Sequence, residues 1–182
     1  MSMSEQTVLS EGKVNVEGFF DPVTSTVTYL VSDPATGTGA IIDPVLDYEA
    51  RSGRTSTSSA DKLIAHVKEK DLKIKWILET HVHADHLTAS PYVQKELGGQ
   101  TVIGRCVTIV QQAFGDAFNA GGTFKRDGSQ WDRLVGEGDE LNLGDQVVKV
   151  METPGHTPAC VSYVFADAVF VGDTVFMPDY GT

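Results

Sequence analysis

The sequence predicts a layered α/β protein in which strands and helices alternate early and strands alone follow. Three observations carry this. Apolar, β-branched runs such as Val27 to Val31 and Lys73 to Glu79 are bounded by turn residues. Stripes at helical spacing lie between such runs, as in Leu63, Ile64 and Val67. From Asp139 onward only short apolar runs remain, separated by turn residues. A length of 182 residues suits one domain, taken as residues 1–182.

In chain order, residues 1–17 are polar and read as a partly frayed start. Val27 to Val31 and Gly39 to Asp43 read as two strands of a hairpin, because Asp33-Pro34-Ala35-Thr36-Gly37 carries turn chemistry. Arg51 to Ser59 is a polar loop, and one of Thr57, Ser58 or Ser59 is expected to cap a helix that runs to about Lys70. Lys73 to Glu79 is a buried strand. Ser90-Pro91 opens a helix, with proline at its first position, that ends at Gly98-Gly99. Thr101 to Ile103 is a short strand, Val107 to Phe118 a helix, and Ala120 to Gln130 a loop rich in glycine and charge. Glu140 to Leu143, Val147 to Glu152, Cys160 to Phe165 and Ala168 to Val171 are the late strands.

Composition narrows the partners. Fourteen Lys and Arg against 25 Asp and Glu give a net charge of −11, which argues against nucleic acid or an anionic membrane as a partner. No apolar run approaches the roughly 20 residues of a membrane helix, and the start has neither a basic nor an apolar leader region. The two cysteines, Cys106 and Cys160, set no disulfide framework and fit a reducing cytoplasm.

The chemistry concentrates after the strand Lys73 to Glu79. Thr80-His81-Val82-His83-Ala84-Asp85-His86 packs three imidazoles and a carboxylate into six positions, good ligands for zinc or non-haem iron. In an extended segment, side chains two apart point the same way, so His81 and His83 can share one metal while Asp85 and His86, where the chain must turn, can face a second position beside the first. Two further strand-end segments fit. Thr153-Pro154-Gly155-His156-Thr157-Pro158 fixes a loop that presents His156, and Gly172-Asp173 follows the strand Ala168 to Val171. Asp43 braces the metal loop or simply makes a turn before Pro44. His66 lacks a partner motif and reads as surface. Cys160 is a substrate-proximal thiol or a small buried residue at a strand start, with burial favoured, and Cys106 is read as core. Arg51 and Arg54 either steer an anionic thiol or lie in a solvated loop, and Tyr180 either lines the pocket or belongs to a tail.

His-x-His-x-Asp-His, then Pro-Gly-His-Thr, then Gly-Asp, each after a strand, resembles the metallo-β-lactamase superfamily. The segments DPVTSTVTYLV, AIIDPVLDYE, ILETHVHADHLTAS, TPGHTPACVSYV and FVGDTVFMPDYGT most resemble its persulfide dioxygenase branch, from about Val14 to Thr182. The resemblance implies an αββα sandwich with metal at one edge of the sheets. It also implies a mononuclear Fe(II), one per chain, held by His81, His156 and Asp173, with His83, Asp85 and His86 supporting them. The implied reaction converts glutathione persulfide, O2 and water to glutathione and sulfite. A bacterial cytoplasmic location, a homodimer and a sulfurtransferase partner follow from the same likeness. The residues themselves do not choose iron over zinc, since all six are equally acceptable to two Zn(II) ions sharing Asp173. A dinuclear-zinc thioester hydrolase of the hydroxyacylglutathione hydrolase type is the alternative, and an inactive metal-binding fragment a third. Family members usually continue past Thr182 with one more site histidine and the residues that grip glutathione. The chain therefore reads as truncated at its C-terminus, with an open sheet edge and exposed apolar surface expected there.

Overall fold

The structure, a computed structural model, describes residues 6–176, apart from the side chains of Ser10 and Glu11. The strands are β1 (Gln6–Glu11), β2 (Asn15–Asp21), β3 (Thr26–Asp33), β4 (Thr38–Ile42), β5 (Val45–Glu49), β6 (Arg54–Ser56), β7 (Lys73–Leu78), β8 (Leu87–Thr88), β9 (Gln100–Gly104), β10 (Arg133–Val135), β11 (Glu140–Leu143), β12 (Gln146–Glu152), β13 (Val161–Val164) and β14 (Val169–Phe170). The helices are α1 (Ser58–Glu69), α2 (Ser90–Leu97) and α3 (Val107–Ala117).

Seven strands form one sheet in the order β1-β2-β3-β4-β7-β9-β10, and four form a second in the order β11-β12-β13-β14. A small third sheet, β6-β5-β8, flanks the site. In the large sheet β4, β7, β9 and β10 run parallel, so their C-terminal ends lie along one edge. Strands of a parallel stretch are buried on both faces and read as continuous apolar runs, as Ala40, Ile41 and Ile42 do. One face, with Val31, Ile42, Trp76 and Leu78, meets Leu141, Val148, Val150, Tyr163 and Phe170 of the small sheet. The other, with Leu30, Ile41 and Ile77, meets Leu63 and Val67 of α1 and Val93 of α2.

The small sheet is buried on one side only. In β12, Val148 and Val150 point inward while Val147, Lys149 and Met151 are exposed, the period-two pattern of a one-faced strand. Val169, Val175 and Phe176 are also exposed, so apolar surface near the end of the described region is as expected. Among the described residues β14, two residues long, is an outer strand of its sheet.

Four local expectations change. The chain start is not frayed from Gln6 onward: β1 and β2 pair, and Val14, Val16 and Glu17 are buried. Glu17 is tolerated inside because His66 Nε2 lies 2.9 Å and Lys70 Nζ 3.0 Å from its carboxylate. His66 is therefore an ion-pair partner packed edge-on against Phe19, not a bare surface residue. Helix α1 has Thr57 at its N-cap position, but the hydroxyl donates to Asp61 Oδ2 (2.9 Å) instead of accepting from the backbone. Within the Arg51–Ser59 loop, Arg54–Ser56 pairs with β5. Being fully exposed, it lacks the apolar alternation that would have announced a strand.

Candidate metal centre

Strand β7 ends at Leu78, and residues 79–86 belong to no strand, with bends at Thr80, His81 and from Ala84 to His86. The two-residue alternation of a strand is not kept there. His81 and His83 lie with ring centroids 4.0 Å apart but face different partners. His81 Nε2 points to Asp173 Oδ2 at 3.6 Å, and His156 Nε2 reaches the same oxygen at 3.3 Å. These three offer ligand atoms that all lie within 4.8 Å of one another, and His83 is not of their number.

Each arrives from a different piece of chain. His81 follows β7. His156 is carried by the loop between β12 and β13, which Cys160 ties off: its Sγ accepts from Thr157 N at 3.2 Å. Cys160 is thus a buried turn-former and does not line the groove beside the metal cluster. Asp173 sits in a 3-10 turn, Gly172–Thr174, one residue after β14. Gly172 has φ +51°, and a Cβ there would stand 2.4 Å from Thr80 Oγ1, so only glycine lets this turn approach the His81 segment.

Asp43, left open between two roles, is a brace. Its backbone N–H donates to Leu78 O (2.9 Å), and its carboxylate accepts from Thr80 N (2.8 Å) and Thr80 Oγ1 (2.7 Å). Because the Thr80 hydroxyl spends its proton on Asp43, it must accept at His81 Nδ1, 3.0 Å away. That assigns the proton to Nδ1 and leaves a lone pair on Nε2, the tautomer a metal ligand requires. His86 reaches the same state by another route, since its Nδ1 lies 3.0 Å from Leu87 O.

His83 is held by two carboxylates, with Nε2 3.1 Å from Asp43 Oδ1 and 3.4 Å from Glu79 Oε2. Both are ion-pair distances, out of line for a hydrogen bond. Glu79 is buried, and its Oε1 accepts from Thr88 Oγ1 and Ser90 Oγ. Asp85 accepts from Thr26 Oγ1 (2.8 Å) at the start of β3. Asp85 also belongs to a second potential ligand group with His83 and His86, and Asp43, Glu79 and His83 form a third.

Electrostatics follow this geometry. Burial, with the charge of His83 adding to it, pulls His81 down to about 4, so it stays neutral and free to ligate. Burial would lower His83 too, but the carboxylates of Asp43 and Glu79 win and push it up to about 11. Burial raises the Asp173 carboxyl above its ordinary range; His156 opposes the rise, while Asp85 and Asp43 add to it. A cation beside Asp173 would relieve that penalty.

The residues fit a divalent metal. Nε2 of His81 and of His86 are buried and make no hydrogen bond among the described residues, a costly state unless something else accepts their lone pairs. His81, His156 and Asp173 would hold one ion, and the set of two imidazoles and a carboxylate suits iron or zinc. Tyr180 lies outside the described residues. Arg54 lines a separate groove with Tyr48 and Asp47 and is not brought to the centre. Neither Glu79 nor Thr80 stood out in the sequence, where Glu79 looked like the end of an apolar strand. A carboxylate closing such a strand directly before Thr-His was the available signal.

A groove of about 850 Å³ opens beside the centre, and Asp173, His83 and Asp85 share its wall with Val27, Tyr29 and Phe176.

Residues 21–182 match the family described as the metallo-beta-lactamase superfamily. A probable metallo-hydrolase of Burkholderia pseudomallei is 55% identical over 179 residues, covering 93% of this chain and 61% of its own length. Glyoxylase B2 of Dictyostelium discoideum is 47% identical over 172 residues, covering 93% and 59%. The mitochondrial persulfide dioxygenase ETHE1 of Mus musculus is 30% identical over 181 residues, covering 98% and 59%. Among solved structures, ETHE1 from Myxococcus xanthus superposes with a TM-score of 0.69 at 31% identity, over 89% of this chain and 58% of that one. The chain thus spans about six-tenths of the length of these three curated relatives, and 38–39% of the length of the beta-lactamase hydrolase-like proteins it also matches at 48–49% identity. With a family match over most of its length, the described sheets stacked as in that structure and three ligand segments meeting at one sheet edge, the chain belongs to the metallo-β-lactamase superfamily.

Proposed function

We propose that this chain carries the catalytic centre of an Fe(II)-dependent persulfide dioxygenase. The reaction would take glutathione persulfide, O2 and water to glutathione, sulfite and two protons. The observation that supports this reading is the ligand set: His81, His156 and Asp173 converge, while His83 is turned toward Asp43 and Glu79. A set of two histidines and one carboxylate leaves open positions on iron. When bound, Fe(II) supplies adjacent sites at which a persulfide sulfur and O2 can meet.

The protein's own residues do the rest. Thr80 and Asp43 fix the tautomer and ring plane of His81. Asp173 supplies negative charge between the two imidazoles. Val27, Val169, Val175 and Phe176 line the groove with apolar surface, and Asp85, tied to Thr26, adds a polar group to its lining. The fit of a glutathione moiety belongs to the whole protein and is part of the proposal.

A second reading has its own support. His86 Nε2 is buried with an uncommitted lone pair, and His83, Asp85 and His86 form a second ligand group. Relatives at 55% and 47% identity bear the names metallo-hydrolase and glyoxylase B2. A dinuclear-zinc hydrolase, with a metal-activated water attacking a thioester, would use both groups. Elemental analysis of protein purified without oxygen separates the two, joined to oxygen uptake with glutathione persulfide and hydrolysis of a glutathione thioester. One iron per chain with oxygen uptake is expected. About two zincs per chain with thioester cleavage would overturn the dioxygenase reading in favour of the hydrolase.

A further inference from the structure

His83 stands beside the metal cluster without joining it. Its ring centroid is 4.0 Å from that of His81, so a side-chain rotation would bring a nitrogen toward the same ion. Two carboxylates hold it back, and they are not equivalent. Asp43 is already engaged through both oxygens by Thr80. Glu79 uses Oε1 alone for Thr88 and Ser90, which leaves Oε2, buried and without a hydrogen bond, aimed at His83 Nε2 from 3.4 Å. Thr88 lies in β8 and Ser90 opens α2, so the start of a helix fixes the rotamer of Glu79, and Glu79 in turn fixes the ring of His83.

We infer that Glu79 is a positioning residue that sets the number of protein ligands at the metal. By keeping His83 outside, it limits the set to His81, His156 and Asp173. It thereby favours an ion served by two imidazoles and one carboxylate over one that prefers a further imidazole. The inference rests on the one-metal reading above. Two features set Glu79 apart from an ordinary buried acid: its carboxylate is divided between a structural oxygen and an uncommitted one, and the uncommitted oxygen meets a ring that could otherwise ligate.

The test is Glu79→Leu, which keeps bulk and removes the acceptor, with Glu79→Leu/His83→Ala as its control. Zinc affinity is measured by competition with a chromophoric chelator, and the ligand field by the visible spectrum of the Co(II)-loaded protein. In Glu79→Leu, zinc binding is expected to tighten by about tenfold or more, on the scale by which residues behind metal ligands alter affinity. The Co(II) bands are expected to intensify and shift, and both changes should vanish in the double variant. A variant with the native zinc affinity and Co(II) spectrum overturns the inference, as does a gain that survives removal of His83. If Glu79→Leu does not fold, Thr88→Val/Ser90→Ala, which frees the rotamer of Glu79 while keeping the acid, carries the same expectation. Native protein holding two zincs per chain would overturn the one-metal reading and this inference together. Native protein with one metal and an unaltered Glu79→Leu spectrum overturns this inference alone.

Discussion

The two sheets contribute to the metal centre on unequal terms. From the large sheet comes His81, 1% exposed, its ring oriented by Thr80 and Asp43 from the adjoining ends of β7 and β4. From the small sheet come His156 and Asp173, with side chains 30% and 29% exposed, on a proline-glycine loop and a one-turn 3-10 segment. The difference teaches that the centre has a preorganised floor and a lighter wall. The floor is covered on both faces by core, whereas the sheet behind the wall is buried on one face. Ligand orientation is therefore built into the floor, and the wall closes the set.

Substitutions on either side of the centre test this contrast. The largest expected effect is in the wall: His156→Ala removes one of the three clustered ligand groups and should leave no stoichiometric metal after desalting, read by elemental analysis, while global stability changes little. Next comes the floor. Asp43→Ala strips the acceptor from Thr80 and leaves His83 facing Glu79 alone, so unfolding in urea should reveal a loss of about 3–5 kcal/mol, the scale of a broken buried ion pair. Similar stability losses in the two variants would erase the distinction between floor and wall. Gly172→Ala is intermediate. The positive φ and the contact with Thr80 should cost about 1–3 kcal/mol locally and weaken metal binding, with a smaller shift in the urea midpoint than Asp43→Ala. Asp85→Ala should lower activity more than metal content, since Asp85 lies outside the cluster of His81, His156 and Asp173; equal losses would bring it in as a ligand. The smallest effect is remote. Glu17 titrates below its ordinary 4.5: burial opposes ionisation, but Lys70 and His66 outweigh it. A depressed carboxylate stabilises the fold above its unfolded value, and that contribution is lost as pH falls through the lower, folded one. Glu17→Gln should therefore flatten the acid limb of a stability–pH curve below about pH 4.5 and leave the metal centre alone.

The three segments that bring His81, His156 and Asp173 together were legible in sequence because each is a short motif following an apolar run, whereas the choice of these three among six candidates came from the family resemblance. The late strands were legible because turn residues punctuate them. What escaped depends on the chain returning upon itself. Glu79 means little until Thr88 and Ser90 fold back against it, and Asp43 acquires its role only when β4 and β7 lie parallel and in register at Ile42 and Leu78. Glu17 and His66 lie 49 residues apart, and each looked ordinary without the other. His81 and His83 do not keep the two-residue alternation of a strand, because the chain leaves β7 at Leu78 and bends at Thr80 and His81.

The parallel register of β4 and β7 has one more consequence. It sets Asp43 and Glu79 side by side beneath the centre, and His83 lies between them as a resident counter-ion. Asp43 and Glu79 against His83 leave one formal negative charge beneath the centre, which a cation seated above them would offset. The more open approach to that position is from the side of His156 and Asp173, whose side chains are 30% and 29% exposed.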